Sequence, residues 1–240
     1  MTVTVARAAT VEVAPDRIAI ANETIGRTLS LEGGVCRTVR FTNVRAKTHL
    51  DVADGGPHLR LINGKEVPAS ALRLAGQITR TPPDGKGKEV AVAIPVACTQ
   101  PAPVKATVHL RVADGRHFMH KWCDVESAVP VDAVQVEQLS GKFKTDLGGR
   151  GQPVFVDGKW FAGLEYPAGY HEGQPGQLRL YHFPGRQKFT TKRAVWGVDV
   201  EGNLSDSFES YLNCVRLKPR SFLQYNACTI CGARSWPLKR

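Results

Sequence analysis

The chain has 240 residues, 42% of them apolar, which is enough to bury a sizeable core as one large all-β domain or two smaller ones and excludes a disordered tail. Its formal charge of +10 raises the case for nucleic acid, but Lys and Arg are dispersed, with short groups only at Lys86/Lys88, Arg186/Lys188 and Lys192/Arg193. A solvated basic surface is the better reading. No run approaches the roughly eighteen apolar residues of a membrane span, and residues 1–21 lack the charged start and apolar centre of a secretory signal, so the cytoplasm is the default compartment.

Taken in order, short β-branched segments at 2–5, 10–13, 18–21, 36–42, 90–96 and 134–136 predict strands. Turn chemistry recurs between them at Asn63-Gly64, Pro82-Pro83-Asp84-Gly85, Asp157-Gly158 and Glu201-Gly202-Asn203. The clearest strand alternates Val104, Ala106, Val108, Leu110 and Val112 with Lys105, Thr107, His109 and Arg111, which is the pattern of a half-buried strand. Asp114-Gly115 then turns the chain into a return strand over 117–125. This spacing predicts a mainly β fold, a large antiparallel β-sandwich. The stretch 147–151 lacks the Gly-Lys-Ser/Thr ending of a phosphate-binding loop and is expected to be a plain loop.

One short C-terminal helix is expected, because Leu204, Phe208, Tyr211, Leu212 and Val215 fall on a single face. Asp206 and Glu209 lie near its start, Arg216 and Lys218 near its end, and Pro219 stops it. The apolar run 222–225 then reads as the first buried strand of a following α/β domain. The expected organisation is a sandwich over 1–202, a linker helix and stray strand over 203–226, and an aberrant tail over 227–240.

Cys36, Cys98, Cys123 and Cys214 sit singly in apolar or strand-like runs, as buried free thiols do. Cys228 and Cys231 have the spacing of half a zinc site without a second pair, so neither metal nor cofactor is predicted. His117 and His120, three apart on a strand, should face opposite sides. Trp122, Trp160, Glu165 and Tyr166 are the candidate carbohydrate-binding residues, since aromatic faces stack on sugar rings and a carboxylate accepts hydroxyl hydrogen bonds. The alternative is that they fill the core or a domain seam, where Trp and Tyr bury large area while keeping a polar handle.

Several segments occur in a telling order: Ile20-Ala21-Asn22-Glu23, Arg27-Thr28-Leu29, Phe118-Met119-His120-Lys121-Trp122, Gly163-Leu164-Glu165-Tyr166-Pro167-Ala168, Tyr181-His182-Phe183-Pro184-Gly185 and Lys218-Pro219-Arg220-Ser221-Phe222. Together they resemble the N-terminal β-domain and barrel entry strand of α-galactosidase-like glycosidases (melibiase-like, related to glycoside hydrolase family 36). The resemblance implies a supersandwich packed on a (β/α)8 barrel, and retaining hydrolysis of terminal α-galactosidic or similar linkages by two aspartates on later barrel strands. No residue here matches either aspartate, so no catalytic residue is assigned and this chain alone is not expected to hydrolyse glycosides.

The expectation is therefore a non-catalytic fragment, truncated at the start of its barrel, that braces the barrel and contributes a wall of the sugar pocket. Its partners would be a carbohydrate and the missing barrel, with self-association through an interface left open around Phe208 and Tyr211. A free-standing carbohydrate-binding module is the alternative, and a basic nucleic-acid-binding protein a second one. Relatives continue after Tyr-Asn with Ser-Trp-Tyr-Asp-Leu-Arg-Gly, whereas this chain continues Ala227-Cys228-Thr229-Ile230-Cys231. A one-base frameshift near Cys228 is expected, which the coding DNA tests.

Overall fold

The computed structural model describes residues 8–53, 55–150, 152–166 and 169–214. Among these, twenty-one strands and one α-helix form two antiparallel sheets stacked as a β-sandwich. The first sheet runs Lys86–Gly87, Ala9–Val13, Arg17–Ala21, Ile25–Ser30, Arg37–Asn43 and Thr48–Ala53.

The second sheet is organised by one 24-residue strand, Phe118–Gly141. Its first half pairs with Val104–Ala113 on one side and with Arg186–Thr190 and Ala194–Val198 on the other. Its second half pairs with His58–Leu61 and Gln177–His182, and register shifts, one of them between Gln135 and Glu137, let it curve. The sheets meet at a corner where Ser140 and Gly141 pair with Ala53 and Val52. At the opposite end Asn22 donates to the carbonyls of Ala113 and Arg116, and Glu23 accepts from the Gly115 amide, tying the 114–115 turn to the first sheet.

The alternation read from sequence decides which faces touch. Val104, Ala106, Val108, Leu110 and Val112 are all buried, as are Val90, Val92, Ile94 and Val96 on the neighbouring strand. They pack against Ile18, Ile20, Leu29 and Phe41 of the first sheet in one continuous core. The return strand predicted over 117–125 begins at Phe118 and continues to Gly141. The stretch 147–151 departs from the expected loop: Thr145–Leu147 and Gly149–Arg150 are short strands, separated by Gly148 at φ +104°.

Within the core lies a charged cluster. The Arg27 guanidinium meets Glu137 at 2.6 and 3.1 Å and the Thr38 hydroxyl at 2.9 Å, while Lys121 Nζ reaches Glu137 at 3.2 Å and donates to the Gly55 carbonyl at 2.5 Å. Gly55 is needed there, since a Cβ would lie 2.4 Å from Thr38 Cβ and push the carbonyl away. Arg27 also sits 4.8 Å over the Phe41 ring, which stacks on Trp196 at 4.2 Å. Burial pushes the Lys121 amine down, opposed by Glu137. It pushes the neighbouring Cys36 thiol up to about 11 and Cys123 to about 12, so both are neutral thiols. Cys36, Cys98, Cys123 and Cys214 are free, with Cys98 half-buried and Cys214 exposed.

The helix Leu204–Cys214 builds a second, smaller core. Leu204, Phe208, Tyr211 and Leu212 are buried against Phe118, Phe155, Phe161 and Val195 on the outer face of the second sheet. This corrects the expectation of an open apolar face around Phe208 and Tyr211: the domain's own sheet covers it. It also explains why Trp160–Leu164 and Ala194–Val198 are buried at every position, with core on one side and helix on the other. Asn203 Oδ1 accepts from the Ser205 amide at the helix start, and Ser207 Oγ donates to Asp199 at 2.9 Å. Val215, Pro219, the run 222–225 and the 227–240 tail with Cys228 and Cys231 lie outside the described residues.

Candidate functional site

Residues two apart on a strand share a face, so Phe118, His120, Trp122 and Asp124 lie along the outer face of the long strand. Arg111 is the cross-strand partner of His120, and His109 that of Trp122. Beyond the strand's other edge, the segment after Trp160–Leu164 carries Glu165, whose amide donates to the Arg193 carbonyl at 2.9 Å. These elements enclose a groove of about 360 Å³, lined by Arg111, Arg116, Phe118, His120, Glu165 and Arg193, with Glu89 and Cys214 at its margin.

Glu165 is its focus. Oε1 lies 3.0 Å from His120 Nε2 and accepts from the Tyr211 hydroxyl at 2.9 Å. Burial pushes the carboxyl up, but the His120 hydrogen bond and charge, the Tyr211 bond and Arg193 outweigh it, so the group is held below its ordinary value. The second carboxylate, Glu89, pairs with Arg111 at 3.4 Å.

Trp122 stands beside this cluster, half-buried. Its ring stacks on His109 at 4.9 Å, nearly parallel, and the Arg193 guanidinium is 5.6 Å from its centroid. His109 in turn meets Asp124 at 2.8 Å, and the Thr190 hydroxyl donates to Asp124 at 2.6 Å. Arg193 thus links Trp122 and Glu165. Tyr166 turns elsewhere, with Lys192 4.9 Å over its ring and His182 edge-on at 5.7 Å. Trp160 is 2% exposed and packs edge-on against Phe41 at 6.3 Å, which is the interior alternative raised for it.

His117 and His120 do not diverge as expected. His117 precedes the strand, so alternation does not govern it, and its Nε2 donates to the Ser207 carbonyl at 2.8 Å while His120 approaches Glu165. Both serve the helix. Among the described residues no group of three or more His, Cys, Asp or Glu could hold a metal ion. Sequence reasoning missed Arg193 and Tyr211 as neighbours of Glu165, since they arrive from separate elements with no fixed spacing.

No family model matches the chain, and no curated protein matches it. Solved structures do. Over 83% of this chain the fold matches a glycoside hydrolase family 36 α-galactosidase from Geobacillus stearothermophilus, with TM-score 0.51, 10% identity and 43% of that chain covered. An α-N-acetylgalactosaminidase from Bifidobacterium bifidum matches over 82% of this chain and 38% of its own, with TM-score 0.53 and 13% identity. An α-galactosidase from Lactobacillus brevis matches over 82% and 41%, with TM-score 0.51 and 8% identity. The sandwich is therefore a fold found within these enzymes, and the chain spans less than half of their length.

Proposed function

We propose that residues 8–214 form a non-catalytic domain of an α-galactosidase-like glycoside hydrolase, one that braces a (β/α)8 barrel and lends the groove at Trp122 and Glu165 to one wall of its sugar pocket. The observation that carries this reading is the fold shared over 83% of the chain with an α-galactosidase of which it spans 43%. The chemistry of the groove agrees. Retaining hydrolysis needs a free nucleophilic carboxylate and a protonated acid about 5 Å apart. Both groove carboxylates are already engaged, Glu89 by Arg111 and Glu165 by His120 and the Tyr211 hydroxyl, and the Glu165 carboxyl is held below its ordinary value, the wrong direction for a proton donor at neutral pH. An ionised carboxylate flanked by an aromatic face and Arg193 suits the hydroxyls of a bound sugar instead.

The test is an assay of the purified chain on aryl α-galactosides and aryl α-N-acetylgalactosaminides, beside titration with galactose and N-acetylgalactosamine. No turnover is expected, and turnover abolished by Glu165→Gln overturns the reading. Saturable sugar binding by the chain alone, lost in Trp122→Ala, would instead favour a free-standing carbohydrate-binding module. Trp160→Ala is unsuitable for this purpose, because it would report on folding.

A further inference from the structure

The second half of the long strand carries a second polar concavity, which shares no lining residue with the groove at Glu165. His58, Gln135, Tyr181 and Tyr170 are direct cross-strand partners in sequence, a row across four adjacent strands that puts all four side chains on one face. Gln138 and Arg179 form a parallel row one step along. A hollow of about 300 Å³ is lined by His58, Gln135, Gln138, Arg179 and Tyr181 of these rows, and Tyr170 lies next to it on Tyr181.

Two kinds of group dominate this face. The first is aromatic: Tyr181 and Phe183 lie parallel within 5° at 6.1 Å, Tyr170 adjoins Tyr181 at 6.0 Å, and Phe183 and Tyr170 are 49% and 45% exposed. The second is amide and guanidinium. Gln135 lines the hollow, and its Oε1 is shut off from solvent with no hydrogen-bond partner, so a turn of the amide toward the hollow would gain a bond rather than lose one. The arginines here are already matched, Arg60 to Asp132 at 2.7 Å and Arg179 to Glu172 at 3.4 Å, and Glu66 is hydrogen-bonded to His58 at 3.2 Å. A charged ligand would have to break these pairs, whereas a neutral one rich in hydroxyls would not. The face is the middle of a sheet with its backbone groups paired, so an added peptide strand has no edge to join.

We propose that this face binds a neutral oligosaccharide laid across the strands, its rings against Tyr181, Phe183 and Tyr170 and one hydroxyl bonded to the Gln135 amide once that side chain turns into the hollow it lines. The ligand is a short chain of sugars, because the row spans four strands and thus about 14 Å. This site goes beyond the groove at Glu165 and does not depend on the role proposed for it.

The experiment is calorimetric titration of the full chain with cellotetraose, maltotetraose and stachyose, and with a heparin-derived tetrasaccharide as the anionic arm. Saturable binding of at least one neutral tetrasaccharide is expected, weakened roughly tenfold by Tyr181→Ala, the upper range for loss of one stacking ring, and also weakened by Gln135→Leu. Tyr181→Phe retains the stack and most of the affinity. If Tyr181→Ala fails to fold, the exposed Tyr170→Ala gives the same readout. Four results overturn the proposal: no saturation with any neutral sugar, affinity unchanged in both Tyr181→Ala and Gln135→Leu, tighter binding of the anionic tetrasaccharide, or loss confined to Trp122→Ala. The last moves the sugar to the Glu165 groove and leaves that reading standing.

Discussion

The Tyr211 hydroxyl donates at 2.9 Å to the Glu165 oxygen that His120 also approaches. The C-terminal helix is thereby latched to the groove it borders: the residue that buries its ring against Phe118 and Phe161 also adds to His120 in holding the groove's central carboxyl below its ordinary value.

Tyr211→Phe keeps the ring packing and removes the donor. A hydrogen bond to a charged group contributes about 1.5–3 kcal/mol, so urea unfolding should show a loss of that order. The Glu165 titration followed by NMR should move upward toward the ordinary carboxylate range. An unmoved titration would show that Tyr211 does not govern this carboxyl.

The Arg27–Glu137–Lys121 cluster is fully buried, and removing one partner leaves uncompensated charge. Glu137→Gln would strand two cations in the core and should cost about 3–5 kcal/mol in denaturant unfolding. Replacing Arg27, Glu137 and Lys121 together by apolar residues of similar volume should cost far less. A mild effect of the single change would mean that water reaches the cluster.

Both features bear on what the chain discloses before it folds. Strands with one buried face, such as Val104–Ala113, announce themselves by alternation, and the helix face at Leu204, Phe208, Tyr211 and Leu212 was equally plain. Trp160–Leu164 and Ala194–Val198 gave no alternating signal because both their faces are covered. The place of the helix was invisible for the same reason: its apolar stripe says that something covers it, and only the fold shows that Phe118, Phe155 and Phe161 do. Of the four residues singled out for sugar contact, Trp122 and Glu165 border one groove while Trp160 and Tyr166 do not, and Arg193, which lies near both Trp122 and Glu165, looked like one more surface charge.

His171 offers a pH handle. Its Nε2 accepts from the Leu164 amide at 2.9 Å, and its Nδ1 donates to the Gln152 carbonyl, so only the neutral ring fits. Burial holds its pKa at about 4, against 6.5 for a free imidazole, opposed by the Gln152 bond. Below pH 6.5 the unfolded chain takes up a proton that the folded ring refuses. The stability present above that pH is therefore lost as pH falls toward 4, by on the order of 3 kcal/mol. Urea midpoints measured between pH 7 and pH 4 should show a shallower slope in His171→Asn than in the parent chain.

Gly197 lies beneath Phe161, and a Cβ there would sit 1.9 Å from the ring's Cζ. Phe161 has no room to yield, since Phe208 and Tyr211 pack on it at 5.2 and 5.4 Å. Gly197→Ala should lower the thermal midpoint, with an overpacking cost of at least about 1–3 kcal/mol. Adding Phe161→Leu should recover part of it; a neutral Gly197→Ala would show that the helix is loosely seated.

The strand Phe118–Gly141 also sets the order of events during synthesis. Its partners include His58–Leu61, made well before it, and Gln177–His182, Arg186–Thr190 and Ala194–Val198, made long after. A nascent chain that has just delivered Gly141 to the ribosome exit therefore holds a long, half-paired ribbon whose second border must wait for residue 198. Until then that border is open to chance pairing with other polypeptides, an exposure that follows from the wide sequence separation of the strands it joins.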